Sequence, residues 1–223
     1  MTTMHQLRGL ARGCAVATAS VVMLAAAGTA SAGRITGSAH DFSTTGWAGG
    51  EICVACHTPH KADVTVSDAP LWNHELTTKT FTVYSSPTLD ATVPQPDGSS
   101  KLCLSCHDGT VALDSFGGTT GTIFMTGDKA VGADELNNDH PISFTFDTAL
   151  ANSDGALHDP ATRTVTIGSG DRTKSGTLDQ VMLLAGKVQC ASCHDVHNNF
   201  VNGNPLLRIR TNGSELCLAC HDK

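Results

Sequence analysis

The chain has 223 residues, about the length of one domain, yet aromatic residues make up only 4% of it, so its own side chains give a poor core. Lys and Arg number 14 against 21 Asp and Glu, a net charge of −7, which disfavours nucleic acid and anionic membrane surfaces as partners. Eight of the nine cysteines fall into pairs of one repeated pattern.

Residues 1–32 read as a secretory signal: Arg8 and Arg12 form a basic start, Cys14 through Gly28 is apolar, and Ala30-Ser31-Ala32 is a small-residue cleavage site before Gly33. The apolar run is too short and too rich in small residues for a membrane span, and Cys14 lacks the Leu-led setting of a lipoprotein cysteine. Cleavage leaves a single domain, 33–223, with 12 basic against 21 acidic residues and no membrane span. Export places it outside the cell or on its surface, or alternatively in a periplasm.

Residues 33–51 form a small, polar arm containing Ser38-Ala39-His40-Asp41-Phe42, read as a surface or partner-docking segment. Residues 52–110 hold two Cys-x-x-Cys-His motifs, Cys53, Cys56, His57 and Cys103, Cys106, His107, and the first runs on to Thr58-Pro59-His60. Between them lie Leu71-Trp72-Asn73-His74 and an alternating run, Thr80 to Tyr84, that predicts a short strand. Ser99 or Ser100 can cap a short helix carrying Cys103.

The spacer, 111–187, reads mostly as loop, punctuated by Gly117-Gly118, Gly121 and Asp139-His140-Pro141. Alternation predicts strands over 142–146 and 163–167, which could pair in a small sheet. A helix follows, with Thr177 as cap, Gln180 at the reciprocal position, Leu178, Val181, Met182 and Leu184 as its apolar face, and Gly186 as its end. Asp128, Asp134 and Glu135 match no calcium-loop spacing and read as solvated acids. Residues 188–223 carry two more motifs, Cys190, Cys193, His194 and Cys217, Cys220, His221, with Ser214 as cap for the last.

Cys-x-x-Cys-His is the attachment signature of c-type haem: two thiols reach the two vinyl groups of one porphyrin, and the adjacent His gives iron an axial nitrogen. With His at 11 of 223 residues, its chance appearance after all four pairs has odds on the order of one in a hundred thousand. A zinc ribbon or a disulfide scaffold needs no His at a fixed offset. The reading is four covalent haem c groups that form the core of a mostly irregular, loop-rich multihaem cytochrome c, with short helices and a few short strands. Attachment cysteines spaced 50, 87 and 27 residues apart predict haems 1 and 2 in 52–110, haems 3 and 4 in 188–223, and the spacer folded outside the haem chain.

The second axial position separates catalysis from electron transfer. Six further histidines serve as candidates: His40, His60, His74, His140 and His197 as distal ligands, and His158 as an ordinary loop residue. His60 and His197 each lie three residues after a proximal His and would share its face on a short helix. Of Met125 and Met182, the latter reads as core. Bis-His ligation leaves no iron open to substrate, so the function is one-electron transfer and not enzymatic. The alternatives are a monomeric periplasmic electron shuttle, identical at each haem, and a multihaem reductase, which would need a five-coordinate haem. If His40 lies too far from its own haems, it could complete a haem in the next molecule, and such a non-closing contact builds a filament.

The strings around His40, Cys53 to His60, Leu71 to His74, Leu102 to Thr110, Asp139 to Pro141 and Cys190 to Asn198 resemble the tetrahaem extracellular cytochrome nanowires, the outer-membrane cytochrome E type of metal-reducing bacteria, with similar archaeal filaments. The resemblance covers nearly all of the exported chain. It implies four bis-His haems in a loop-rich subunit, polymerised head to tail with an axial His crossing between subunits, and partners among redox cytochromes or extracellular electron acceptors.

Overall fold

The computed structural model describes residues 35–67, 69–133, 135–197 and 206–222. By contacts the chain divides into Met1–Ser31 and Ala32–Lys223, the first wholly outside the described residues. The expected signal segment with Arg8, Arg12 and Cys14 therefore lies outside the description, as do Asp134 and Asn198-Asn199-Phe200.

Regular structure within Ala32–Lys223 is sparse. It comprises α1 (Gly98–His107), α2 (Thr148–Asp154), β1 (Thr164–Ile167), β2 (Lys174–Thr177), α3 (Leu178–Val181), α4 (Cys190–Cys193) and α5 (Glu215–Leu218), with turns and single 3₁₀ turns between. The loop-rich fold expected from composition is the fold observed. No helix among the described residues is long and apolar enough to cross a membrane.

β1 is the strand expected at 163–167, and its alternation is real: Ile167 is buried and Val165 half-buried, while Thr164 and Thr166 face solvent. Its partner differs from the expectation. β1 pairs antiparallel with β2, Thr164 opposite Thr177 and Ile167 opposite Lys174, across a short connection. The 142–146 run makes only an isolated bridge, Thr145 to Lys187, and is tied to the 186–188 segment by Ser143 N–H to Val188 O at 2.6 Å and Val188 N–H to Phe144 O at 3.1 Å. Thr80 to Tyr84 likewise has one bridge, Val83 to Leu136, and forms no strand.

α3 starts where expected, with the Thr177 N–H donating to Gln180 Oε1 at 3.2 Å. It ends at Val181, earlier than Gly186, because the chain turns at Ala185 and Gly186, both at positive φ, and Leu184 and Lys187 close the turn reciprocally. α2 is additional to the sequence reading. Asp147 caps it by accepting from the Leu150 N–H at 2.9 Å, and Gly155 at φ 72° ends it.

Apolar residues gather in three separate clusters. The largest joins Phe144, Phe146, Ile167, Leu178, Met182 and Val188, so Met182 is core as expected. Smaller groups surround Trp72 with Val66 and Leu102, and Phe81 with Leu104 and Leu136. This dispersal fits a chain short of aromatic side chains that wraps a row of sites.

Candidate functional site

Each Cys-x-x-Cys-His is built on a tight local turn or a short helix. The first motif is a turn, with the Cys56 and His57 N–H groups both donating to Cys53 O, at 3.2 and 2.8 Å. Trp72 and Asn73 strap it in place: Asn73 N–H donates to Cys56 O at 3.0 Å and Asn73 Nδ2 to Val54 O at 2.5 Å. The second motif lies on α1, whose cap is Asp97; Ser99 and Ser100, expected as caps, sit one turn further in. The third occupies α4, with His194 N–H donating to Cys190 O at 3.0 Å. The fourth starts on α5 at Cys217 and runs on past its end, with His221 N–H donating to Cys217 O at 2.9 Å. Ser214 precedes α5 in the left-handed region and makes no side-chain cap bond.

Proximal imidazoles are aimed by backbone carbonyls. His57 Nδ1–H donates to Pro70 O at 2.6 Å and His107 Nδ1–H to Lys129 O at 2.7 Å. An Nδ1 held this way leaves Nε2 as the metal-binding nitrogen and raises its basicity. His140 follows the same rule, donating from Nδ1 to Pro141 O at 2.9 Å.

Three proximal histidines face a second imidazole. Ring centroids are 6.1 Å apart for His107 and His40, 6.1 Å for His57 and His197, and 6.5 Å for His221 and His140. Two nitrogen–metal bonds of about 2 Å each, with half an imidazole beyond each nitrogen, put trans centroids roughly 6 Å apart. The spacing therefore fits an iron held between each pair. His40 also keeps a buried Nδ1 with no hydrogen-bond partner among the described residues. Its pKa is lowered to about 4, first by burial and then by His107, His194 and His197, so the ring is neutral at pH 7 and free to act as a nitrogen donor.

Two sequence expectations change here. His40 is not in a loose docking arm: Phe42 lies tilted against Trp47 with centroids 4.9 Å apart, Trp47 reaches Phe116 at 6.1 Å, and Ile35 and Ala48 are buried. It thus finds its partner, His107, within its own chain. His197, moreover, shares no helix with His194, since α4 ends at Cys193 and His194 is extended. It crosses to the first motif instead.

His194 faces no second imidazole among the described residues. Three candidates are left over. His74 is buried, with Nδ1 2.8 Å from Glu75 O and Nε2 3.0 Å from Ala112 O, edge-on to Trp72 and not opposite a proximal ring. His158 is half-buried beside the fourth motif, its N–H donating to Cys220 O at 2.8 Å. His60 is exposed.

The sulfurs of successive motifs are neighbours. Burial raises the Cys56 thiol to about 11 and Cys106 to about 12, and Cys106 also feels Cys56. Cys103 is pushed up by a hydrogen bond with Cys190 and by burial, and Cys190 is drawn down by the same bond. Cys220 rises to about 12 through burial and through Cys193 and Cys217. Sulfurs of the first motif thus act on those of the second, the second on the third, and the third on the fourth. Most of these thiols stay protonated at neutral pH, so the sites accept an apolar macrocycle without burying charge.

Sequence reasoning missed the residues behind these sites. Asp97, Ser100, Ser143 and Gln189 form a buried hydrogen-bonded group between α1 and α4, and no spacing singles them out. The doubled CXXCH motif family matches residues 183–223. No curated protein matches the chain. That match supports a multihaem c-type cytochrome kind, and the CXXCH motifs imply covalently bound haem c with a part in electron transfer.

Proposed function

We propose that the chain binds four haem c groups, one per motif, and conducts electrons along them as the subunit of a head-to-tail extracellular filament. The observation that carries this reading is the pairing of imidazoles at 6.1 to 6.5 Å on three of the four motifs. Haem iron so held supplies one-electron Fe(III)/Fe(II) chemistry. The chain's own work is positional. Cys53 and Cys56, Cys103 and Cys106, Cys190 and Cys193, and Cys217 and Cys220 tether the macrocycles, each thiol adding S–H across a vinyl C=C to leave a thioether. The paired imidazoles exclude substrate and water from iron, and the carbonyls of Pro70, Lys129 and Pro141 fix the ring tautomers.

Polymerisation is supported by the imbalance that remains. Among the described residues no second imidazole stands opposite His194, and His60 is exposed with no proximal ring opposite it. Donation of His60 from one molecule to the His194 iron of the next is a heterologous contact that does not close, which yields a filament. Redox cytochromes or extracellular electron acceptors are its partners at the ends.

Electron microscopy of the exported protein, after haem content is measured by absorbance, tests this. Filaments with four haems per chain and low-spin iron throughout are expected. Discrete particles with low-spin iron would make the protein a soluble electron shuttle. Particles in which one high-spin haem binds nitrite or sulfite would make it a reductase.

A further inference from the structure

Between the attachment helices of the second and third motifs lies a polar cluster that no ligand role accounts for. Gln189 immediately precedes Cys190, and it is 3% exposed. Its Oε1 accepts from the Ser100 N–H at 3.2 Å and from Ser143 Oγ–H at 3.1 Å, while its Nε2 donates to Asp97 Oδ1 at 2.8 Å. The loop closes through Asp97 N–H to Ser143 Oγ at 3.0 Å, and through an ion pair between the Lys187 ammonium and the other Asp97 oxygen. Ser100 Oγ in turn accepts from the Cys190 N–H at 3.0 Å, so a side chain of α1 caps the first residue of the third motif.

Ser100 and Ser143 are fully buried. Every one of the named oxygens and the Gln189 amide nitrogen is paired; Asp97 stands at the half-exposed edge, but any slip leaves the buried groups of Ser100, Ser143 and Gln189 unsatisfied. The backbone has been shaped to it as well. Gly98 holds φ +47°, and a Cβ there would lie 3.1 Å from Gln189 Nε2. The consequence reaches the attachment cysteines: Cys103 lies on α1, and Cys190, the first residue of α4, is tied to α1 through Ser100 Oγ at 3.0 Å. The two groups they tether are therefore neighbours whose separation is set by how α1 and α4 are joined.

We propose that Asp97, Ser100, Ser143 and Gln189 are positioning residues that lock α1 against α4 and thereby set the electronic coupling between the haems of the second and third motifs. The inference rests on the haem reading above and adds to it a determinant of rate in the middle of the chain of sites. It concerns the one step that joins the 52–110 half to the 188–223 half, where the long spacer gives no other covalent control of distance.

The test uses the loaded full chain. Haem content of the unaltered protein is counted first by absorbance; fewer than four haems would overturn the tetrahaem reading itself, whatever the variants do. Ser100→Ala and Gln189→Leu are then compared with it. Four haems with unchanged low-spin spectra are expected, together with a weakened magnetic interaction between two of them by electron paramagnetic resonance and several-fold slower exchange between them. Ser100→Thr, which keeps the hydroxyl, is expected to restore both, and Ile167→Val, in the large apolar cluster, to alter neither. Unchanged coupling in Ser100→Ala and Gln189→Leu with four haems bound would overturn the proposal and leave the haem reading standing. If either variant fails to load, Ser143→Ala removes only the outer hydroxyl and decides by the same two outcomes.

Discussion

The imidazoles of His57 and His197 lie nearly parallel, centroids 6.1 Å apart and planes 19° from parallel, although one belongs to the first motif and the other follows the third. His57 is aimed by the Pro70 carbonyl at 2.6 Å, and the His197 N–H donates to Asp195 Oδ1 at 2.9 Å. Two ends of the sequence are thus joined at one site. Deleting either ring would remove this contact between the first motif and the segment after the third.

Replacing His197 by Gly leaves the first iron without its second nitrogen. One haem in the chain is expected to become high-spin while the others stay low-spin, and added imidazole should restore it by filling the space of the lost ring. Visible absorption and electron paramagnetic resonance check this. A wholly low-spin His197→Gly protein would show that His197 is no ligand.

The third pair differs in angle. His140 and His221 are 76° from parallel, against 19° for His57 and His197. Axial planes near perpendicular give low-spin ferric iron a far more anisotropic signal than near-parallel planes. The native spectrum is expected to contain both types, with His140→Ala abolishing the highly anisotropic one and His197→Gly the rhombic one. Loss of the same signal in both variants would contradict the assignment of the pairs.

On the proposed filament reading, assembly depends on a different residue. His60 is exposed and outside every pair seen within the chain. His60→Ala is expected to leave all four haems attached but to abolish filaments by electron microscopy, leaving one haem per particle open to added imidazole. Filaments of native length in that variant would rule out His60 as the crossing ligand.

Much of this site was legible in the sequence because covalent chemistry writes itself locally. Cys-x-x-Cys-His fixes three atoms within five residues, and a proximal His needs no tertiary information. The distal partners do need it. His197 sits three residues after His194, a spacing that suggests a shared helix, but α4 stops at Cys193 and sends His197 to the first motif. His40 stands in a polar arm whose composition suggests solvent, yet Phe42, Trp47 and Phe116 form an aromatic ladder that seats it beside His107. Gly155 and Asp147 bracket α2 with ordinary cap chemistry, a signal that the Gly and Pro punctuation of the spacer obscures. Strand pairing was the least legible: β1 alternates as expected, but its partner, Lys174 to Thr177, has no apolar alternation and is selected by chain proximity.

The close packing behind the second motif predicts sensitivity at a glycine of ordinary backbone angle. A Cβ on Gly132 would lie 2.9 Å from Leu104 Cδ2, 3.0 Å from Phe81 Cε1 and 3.2 Å from Asp108 Cβ. Leu104 is 1% exposed and lies between Cys103 and Ser105, so it cannot move away without shifting α1. Gly132→Ala is expected to cost about 1–3 kcal/mol by overpacking. Thermal unfolding followed at the haem absorbance measures it, and an unchanged midpoint would mean that α1 yields more easily than its packing suggests.

Acid should act on the clamp between α1 and α4 through Asp97. Burial pushes its carboxyl up, but the Lys187 ammonium, the Gln189 amide and the Ser143 hydroxyl more than offset this, leaving a net shift below the ordinary value of 3.8. A folded-state value below the unfolded one means that the unfolded chain takes up the proton first as pH falls. The stability Asp97 contributes is therefore fully present above the unfolded value of 3.8 and is lost as pH falls through the lower folded value. Asp97→Asn removes the charge at every pH. Its melting temperature is expected to lie below that of the unaltered protein at neutral pH, and the gap should narrow below pH 3.8 as the native carboxylate is itself neutralised. A gap that stays constant across that range would show that Asp97 holds the helices by shape and hydrogen bonding alone, with no contribution from its charge.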